Sequence, residues 1–177
     1  MGRGRETILA AGTFALALAI IAVPAGARAE PDNPFAARLL DSHNSVRAQS
    51  GVPPLIWNRE LAMQAQEWAE FLAGQGRMIH ATREQRRHAG ENLWMGAAGT
   101  YSAEFMVQAF VAEKRNFRPG TFPEVSATGQ WRDVGHYTQI VWRDTTDVGC
   151  AVARNARDDF LVCRYSPAGN WYGKPVF

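Results

Sequence analysis

Apolar residues recur at three- and four-residue steps through much of the first two thirds of the chain, which is the spacing of one face of an α-helix. Asparagine or serine precedes two of these periodic stretches and can cap a helix, whereas glycines and prolines follow the first two and end them. The pattern predicts three helices, at Pro34–Gln49, at Asn58–Ala73 with Asn58 as its cap, and at Ala103–Asn116 after Ser102.

The last third of the chain changes to short apolar runs separated by turn-like residues, which is typical of strands. We expect strands at Thr138–Trp142, Val148–Arg154 and Phe160–Tyr165. Residues 78–99 show no clear period, and residues 118–133 are rich in Pro, Gly, Ser and Thr and predict a long loop. Helices followed by a strand meander indicate an α+β fold.

The first 29 residues have the layout of a secretory signal peptide. Arg3 and Arg5 precede an apolar stretch over residues 8–23, and Ala27-Arg28-Ala29 offers a cleavage site after Ala29. The apolar stretch is shorter than the roughly 20 residues of a membrane span, although an uncleaved anchor is the alternative. We therefore expect one domain over residues 30–177. It is expected to be secreted or periplasmic, without a stable membrane span after cleavage, and a monomer or weak oligomer.

Charge argues against nucleic acid as a partner. The full chain has a formal net charge of +2, but cleavage after Ala29 removes three arginines and one glutamate and leaves sixteen basic and sixteen acidic residues. A net charge of zero provides no general attraction to nucleic acid or to an anionic membrane.

Cys150 and Cys163 are the only cysteines of the chain. An even pair in an exported protein predicts a disulfide, and the two residues fall on neighbouring predicted strands. The alternative is a pair of reduced cysteines in the core. Their spacing does not fit a C-x-x-C redox or zinc motif.

Six segments in a fixed order carry a resemblance to a known family. They are His43-Asn44 with Arg47, residues 51–55 with Trp57, residues 90–93, residues 135–142, residues 149–151 and residues 163–170. Together they resemble the CAP superfamily, also called SCP domains, which comprises cysteine-rich secretory proteins, antigen five and pathogenesis-related group one proteins. The compact leader and the low cysteine count favour a bacterial member.

The resemblance implies a three-layer α-β-α sandwich with a central antiparallel sheet. It also implies a cleft that holds His80, Glu91, Glu113 and His136, with Tyr137 as a further residue lining it. The chain departs from the family pattern in two ways: Phe110 stands where a tryptophan is usual, and Val134 stands where many members have a cysteine.

Two imidazoles are good ligands for Zn²⁺ or another divalent metal, which makes His80 and His136 the candidate metal ligands. Glu91 and Glu113 could ligate, orient a bound water or accept its proton, and they are the catalytic candidates if the protein is a hydrolase. The alternative for the two histidines is a structural hydrogen-bonded network. Glu91 could instead satisfy backbone donors at a turn, and Glu113 could be a solvated charge on its helix. His43, on the apolar face of the first predicted helix, is expected to be a core residue.

Three functions follow from these residues. The resemblance favours a non-enzymatic binding protein for a sterol or lipid, or for host or microbial interaction, with a cleft for divalent metal. A metal-dependent, peptidase-like hydrolase is the first alternative, but the sequence has neither metalloprotease His spacing nor a nucleophile elbow. A structural module of the cell envelope is the second alternative.

Overall fold

The computed structural model describes residues 1–2, 31 and 33–177. Residues 3–29 of the predicted signal peptide, with the cleavage site at Ala29, lie outside the described residues. None of the described helices combines the length and the apolar character that a membrane crossing requires.

The described residues form four α-helices and four strands. The helices are α1 Pro34–Gln49, α2 Arg59–Gln75, α3 Ala103–Val111 and α4 Gly135–Ile140. The strands are β1 Ile56–Trp57, β2 Gly90–Ala97, β3 Asp147–Arg154 and β4 Asp158–Ser166. A 3₁₀ turn over Ala112–Asn116 continues α3, and another over Trp131–Asp133 leads into α4.

The predicted helices begin where their capping residues indicate. Asn33 Oδ1 accepts from Ala36 N–H at 2.9 Å and starts α1. Asn58 caps α2 in the same way, and Ser102 caps α3. Gly76 ends α2 at φ 64°, a left-handed conformation that glycine adopts without steric strain.

The four strands form one sheet in the order β1-β3-β4-β2. Strands β3, β4 and β2 are antiparallel, whereas the two residues of β1 run parallel to the start of β3. The predicted antiparallel sheet is therefore mixed. The change is confined to β1, which is too short to show a strand pattern in the sequence.

Helices cover both faces of the sheet, so the predicted α+β sandwich of three layers is confirmed. Helix α2 packs on one face, where Phe160 and Val162 of β4 meet Leu72. Helices α1, α3 and α4 lie on the other face, against Leu161 and Tyr165. This alternation along β4 is the two-residue period of a strand buried on both sides.

One prediction from the pattern is wrong, and one strand was not predicted. Residues 138–142, predicted as a strand, lie mostly in α4, a helix of six residues that is too short to display a helical period. Residues 90–97, which show no clear period, form β2. The polar Glu91 and Asn92 are buried in β2 because partners within the fold satisfy their hydrogen bonds.

The fully buried Arg47 of α1 fixes the end of α4. Its guanidinium donates to the carbonyl oxygens of Ile140 and Trp142, each at 2.8 Å, and to that of Thr145 at 2.9 Å. A buried cation suits the carbonyls at a helix C-terminus, which are left without partners in the helix itself. The first predicted helix thereby holds the element that carries His136.

Candidate functional site

Two histidine–glutamate pairs form the core of the candidate site. In the first pair, His80 Nδ1 lies 2.5 Å from Glu91 Oε1, which also accepts from Ala81 N–H at 3.1 Å. An ionised carboxylate only accepts hydrogen bonds, so Nδ1 carries a proton, and in the neutral imidazole Nε2 then presents its lone pair. The His80 side chain is 63% exposed while that of Glu91 is 1% exposed.

A buried arginine holds Glu91 in place. Arg164 lies directly opposite Glu91 across β2 and β4, and its Nη1 donates to Glu91 Oε2. Both side chains are only 1% exposed. Burial lowers the pKa of Arg164, and the Glu91 carboxylate opposes that shift. The ion pair leaves both oxygens of Glu91 hydrogen-bonded within the protein.

The second pair joins α4 to the 3₁₀ turn after α3. His136 Nδ1 lies 2.6 Å from Glu113 Oε1, so this histidine also carries its proton on Nδ1. Glu113 Oε2 accepts the backbone N–H groups of His136 at 2.9 Å and of Tyr137 at 3.1 Å. These two donors belong to the first turn of α4, where a carboxylate is favourable.

The two residues beside this pair differ in their relation to the cleft. Phe110 stacks on the His136 ring with centroids 5.0 Å apart, so it stands against the imidazole at the position where the resembling family has tryptophan. Tyr137 does not line the cleft. Its side chain is buried against Phe117 in the core, because the helical turn of α4 directs it away from His136.

Both histidines border one cleft of about 440 Å³. Its other lining residues are Arg86, Gly90, Glu91, Asn92, Trp131, Arg132, Gly135, Gln139, Gly169 and Asn170. Of the five residues predicted for the cleft, His80, Glu91 and His136 line it. Glu113 supports it from behind His136, and Tyr137 lies elsewhere.

Glycine at position 90 is required by the close packing under the cleft. A Cβ atom there would lie 2.1 Å from Gln139 Oε1, an oxygen that is fixed by accepting from Gly169 N–H at 3.0 Å. Any larger residue would push Gln139 out of this bond. This is the physical reason for glycine before Glu91 in the sequence.

The predicted core role of His43 is confirmed. Its ring nitrogens lie 2.7 Å from Leu39 O and 2.8 Å from the Tyr165 hydroxyl. Burial lowers the pKa of His43 to about 4 and keeps the ring neutral near pH 7. Burial likewise raises the pKa of Tyr165.

The predicted disulfide between Cys150 and Cys163 is present, and it joins residues directly opposite each other on β3 and β4. Its sulfurs lie within 4.8 Å of a ring nitrogen of His43. This group does not suit a metal, because the sulfurs are oxidised and both His43 nitrogens have partners.

Within the described residues, this group around His43 is the only set of three or more His, Cys, Asp or Glu residues whose metal-ligating atoms lie within 4.8 Å of one another. The candidate site is therefore not a preformed cage of four ligands. Instead it offers two imidazoles, each held by a carboxylate on Nδ1 and with Nε2 left for a ligand. Carboxylates in this position orient metal-binding histidines and increase their basicity.

Several residues of the site were not identified from the sequence. Arg164, Asn92 and Asn170 fall inside the segments that carry the family resemblance, which is the signal that could have identified them. Arg86 and Arg132 fall outside those segments, and only the fold brings them to the same cleft.

Comparisons with known proteins agree with the fold and the resemblance. The family model for the CAP, or cysteine-rich secretory protein, family matches residues 40–165. The chain is 39% identical over 133 residues to pathogenesis-related leaf protein 4 of Solanum lycopersicum, covering 75% of this chain and 77% of that protein. It is 35% identical over 136 residues to the PR-1 type pathogenesis-related protein of Sambucus nigra, with 76% and 77% covered.

Solved structures give the same result for the fold. The crystal structure of NaASP2 with Zn²⁺ superposes with a TM-score of 0.71 at 25% identity, covering 87% of this chain and 88% of that one. The structure of BmVAL-1 has a TM-score of 0.66 at 22% identity, covering 86% and 85%.

Proposed function

Because this chain belongs to the cysteine-rich secretory protein family, we propose that it is a secreted binding protein whose cleft binds a divalent metal through His80 and His136. The pathogenesis-related relatives and the disulfide support export, since disulfides persist mainly outside the cytosol. The metal is zinc or another divalent ion that accepts imidazole ligands.

The observation that carries this proposal is the matching state of the two histidines. Each has a glutamate within 2.6 Å of Nδ1. Each Nε2 is without a hydrogen-bond partner among the described residues, and both rings line one cleft. The NaASP2 structure with Zn²⁺, a relative in fold at 25% identity, adds support for zinc.

Binding is favoured over hydrolysis because every carboxylate oxygen of the two glutamates already accepts a hydrogen bond from the protein. Both oxygens of Glu91 accept bonds from His80, Ala81 or Arg164, and both oxygens of Glu113 accept bonds from His136 or Tyr137. A general base must reach the proton that it removes from water or substrate. In this arrangement the carboxylates position the imidazoles, and zinc would supply an electrophilic centre to a bound ligand.

The test is a calorimetric titration of zinc into the wild-type protein and into a His80→Ala, His136→Ala variant. We expect the double variant to lose zinc binding while its thermal unfolding stays cooperative, because both side chains are partly exposed. His88→Ala is the matched control, since His88 is exposed on the same loop and does not line the cleft. Wild-type zinc affinity in the double variant would refute the proposed ligands.

A second candidate function, the binding of a lipid, is supported by a different cavity. This cavity of about 340 Å³ lies between the start of α1, α2 and β3, and its size falls within the range of about 300–1,000 Å³ for ligand pockets. Its walls are mostly apolar and include Phe35, Leu39, Trp57, Met63 and Val152. Trp57 is 3% exposed, and its Nε1–H is buried without a hydrogen-bond partner.

An unsatisfied buried indole N–H suits a lipid with an acceptor head group, such as a carboxylate or a hydroxyl. We expect Trp57→Phe to lower the affinity for a fluorescent fatty acid by about three- to tenfold, which corresponds to the loss of one hydrogen bond. Trp171→Phe is the control, because Trp171 is exposed and outside this cavity. Equal affinity of wild type and Trp57→Phe would contradict this role of Trp57. A protein that binds neither lipid nor zinc would instead support the cell-envelope module.

A further inference from the structure

The polar side chains that line the cleft with His80 and His136 differ in how many of their hydrogen bonds are made within the protein. Three amides are held in place by hydrogen bonds to the protein. Asn92 donates to His136 O and to the Tyr165 hydroxyl, Gln139 bonds Thr145 and Gly169, and Asn170 bonds Thr138 and Gly135. These amides shape the wall of the cleft and are already engaged.

Two arginines of the same cleft are not used in this way. Arg86 Nη1 donates to Ala89 O at 2.8 Å, but its Nε is buried and has no hydrogen-bond partner in the part of the chain that the structure describes. Arg132 lies over the Trp131 ring at 5.1 Å from its centroid. Among the described residues, neither guanidinium forms a salt bridge with a carboxylate.

The carboxylates near the cleft do not balance these charges. Among the described residues that line the cleft, Glu91 alone has a carboxylate, and Arg164 already pairs with it. Glu113 is bound to His136. Arg86 and Arg132 therefore give the cleft an excess of positive charge, which a divalent metal would increase. A guanidinium has five donors and no acceptor, so the groups left for a ligand call for an acceptor with negative charge.

We infer that the ligand of this cleft is a small molecule bearing an oxyanion, a carboxylate or a phosphate-like group, which bridges the metal and the guanidiniums of Arg86 and Arg132. The inference rests on the proposed metal function for one of the three contacts. The planar fork of arginine binds either kind of oxyanion in two parallel hydrogen bonds, and such charge-assisted bonds are about twice as strong as neutral ones.

The experiment titrates sodium sulfate and sodium acetate, in separate arms, into the protein loaded with Co²⁺ or Zn²⁺, at constant ionic strength maintained with perchlorate. Calorimetry gives the affinity, and the visible spectrum of Co²⁺ reports an anion entering the metal's coordination sphere. We expect both anions to bind. Tighter binding of sulfate indicates a phosphate-like ligand, and tighter binding of acetate indicates a carboxylate.

Arg86→Gln should weaken anion binding about tenfold, and Arg132→Gln about threefold because its guanidinium is exposed and partly screened. Arg87→Gln is the matched control, since it removes the same charge from the same loop at a residue that pairs with Glu60 outside the cleft. It should leave anion affinity unchanged. Zinc stoichiometry should be the same in all three variants.

Two results would overturn the inference: wild-type anion affinity in the Arg86→Gln, Arg132→Gln variant, or an equal loss in Arg87→Gln. Failure of the metal function is distinguishable, because the wild-type protein would then not bind zinc at all. In that case the anion titration is repeated without metal. A dependence on Arg86 and Arg132 supports the arginine contacts, and its absence rejects them.

Discussion

Glu113 provides the sharpest test of how the site works, because a single change separates its two tasks. Its Oε2 accepts two N–H groups at the start of α4, and its Oε1 accepts the proton on His136 Nδ1. Glutamine at this position keeps one carbonyl oxygen for the backbone donors. It places an NH₂ donor where Oε1 faced the imidazole.

The expected effect on metal binding is large. With an amide donor opposite Nδ1, the His136 proton moves to Nε2, which then cannot ligate a metal in that tautomer. Changes to carboxylate partners of this kind weaken metal affinity about 10–100-fold. This corresponds to about 1.4–2.8 kcal/mol of binding free energy. The effect on folding is small, because the cap of α4 survives.

Glu113→Ala is the matched comparison. It removes the tautomer control and also leaves two N–H groups of α4 without their acceptor, so we expect a loss of about 1–2 kcal/mol of folding free energy. Zinc affinity comes from calorimetry, folding free energy from urea unfolding, and the His136 tautomer from ¹⁵N NMR of the metal-free protein. Wild-type zinc affinity in Glu113→Gln, with the proton shown on Nε2, would refute this reasoning.

Three further predictions concern stability and can be measured by urea unfolding. Arg164→Met strands the Glu91 carboxylate in the interior and should cost about 3–5 kcal/mol, with partial recovery when Glu91→Gln is added. The free energy of unfolding should be highest near pH 7 and should fall by about 3 kcal/mol between pH 6.5 and 4. In this range His43 gains a proton in the unfolded chain, whereas burial in the folded protein keeps the pKa of His43 at about 4. His43→Gln should flatten that slope, and an unchanged slope would assign it to other groups. Replacing Cys150 and Cys163 by alanine should lower the free energy of unfolding by about 3 kcal/mol, because the disulfide restricts the unfolded chain. A much smaller loss would contradict this explanation of its stabilising effect.

The elements that the sequence predicted correctly are those whose signals are local. Helix α1 has its apolar spacing and the glycine and prolines that end it within about 20 residues of chain, and its predicted bounds are those of the structure. Strands β3 and β4 agree with prediction to within two residues at each end. The family resemblance implied a cleft with His80, Glu91, Glu113 and His136, although no local spacing links them. The structure pairs His80 with Glu91 and His136 with Glu113.

The elements that were missed depend on partners far along the chain. Helix α4 contains Thr138 and Ile140, whose branched side chains favour strands, and its first turn is stabilised by Glu113 from 23 residues away. Strand β2 looks polar in the sequence because it begins with Glu91 and Asn92. These residues can be buried only because their hydrogen-bond partners lie on other elements. The unused donors of Arg86 and Arg132 become visible only after every neighbouring group has been assigned a partner.

The ion pair of Glu91 and Arg164 also determines how β2 aligns with β4. Successive side chains of a strand point to opposite faces, so a slip of one residue would turn Glu91 away from Arg164 and leave two charges unmatched in apolar layers. Such a slip would expose or bury the wrong side chain at every position of β2. We therefore expect the pair to favour the native register, because a misaligned sheet would hold two unpaired buried charges that the native alignment avoids.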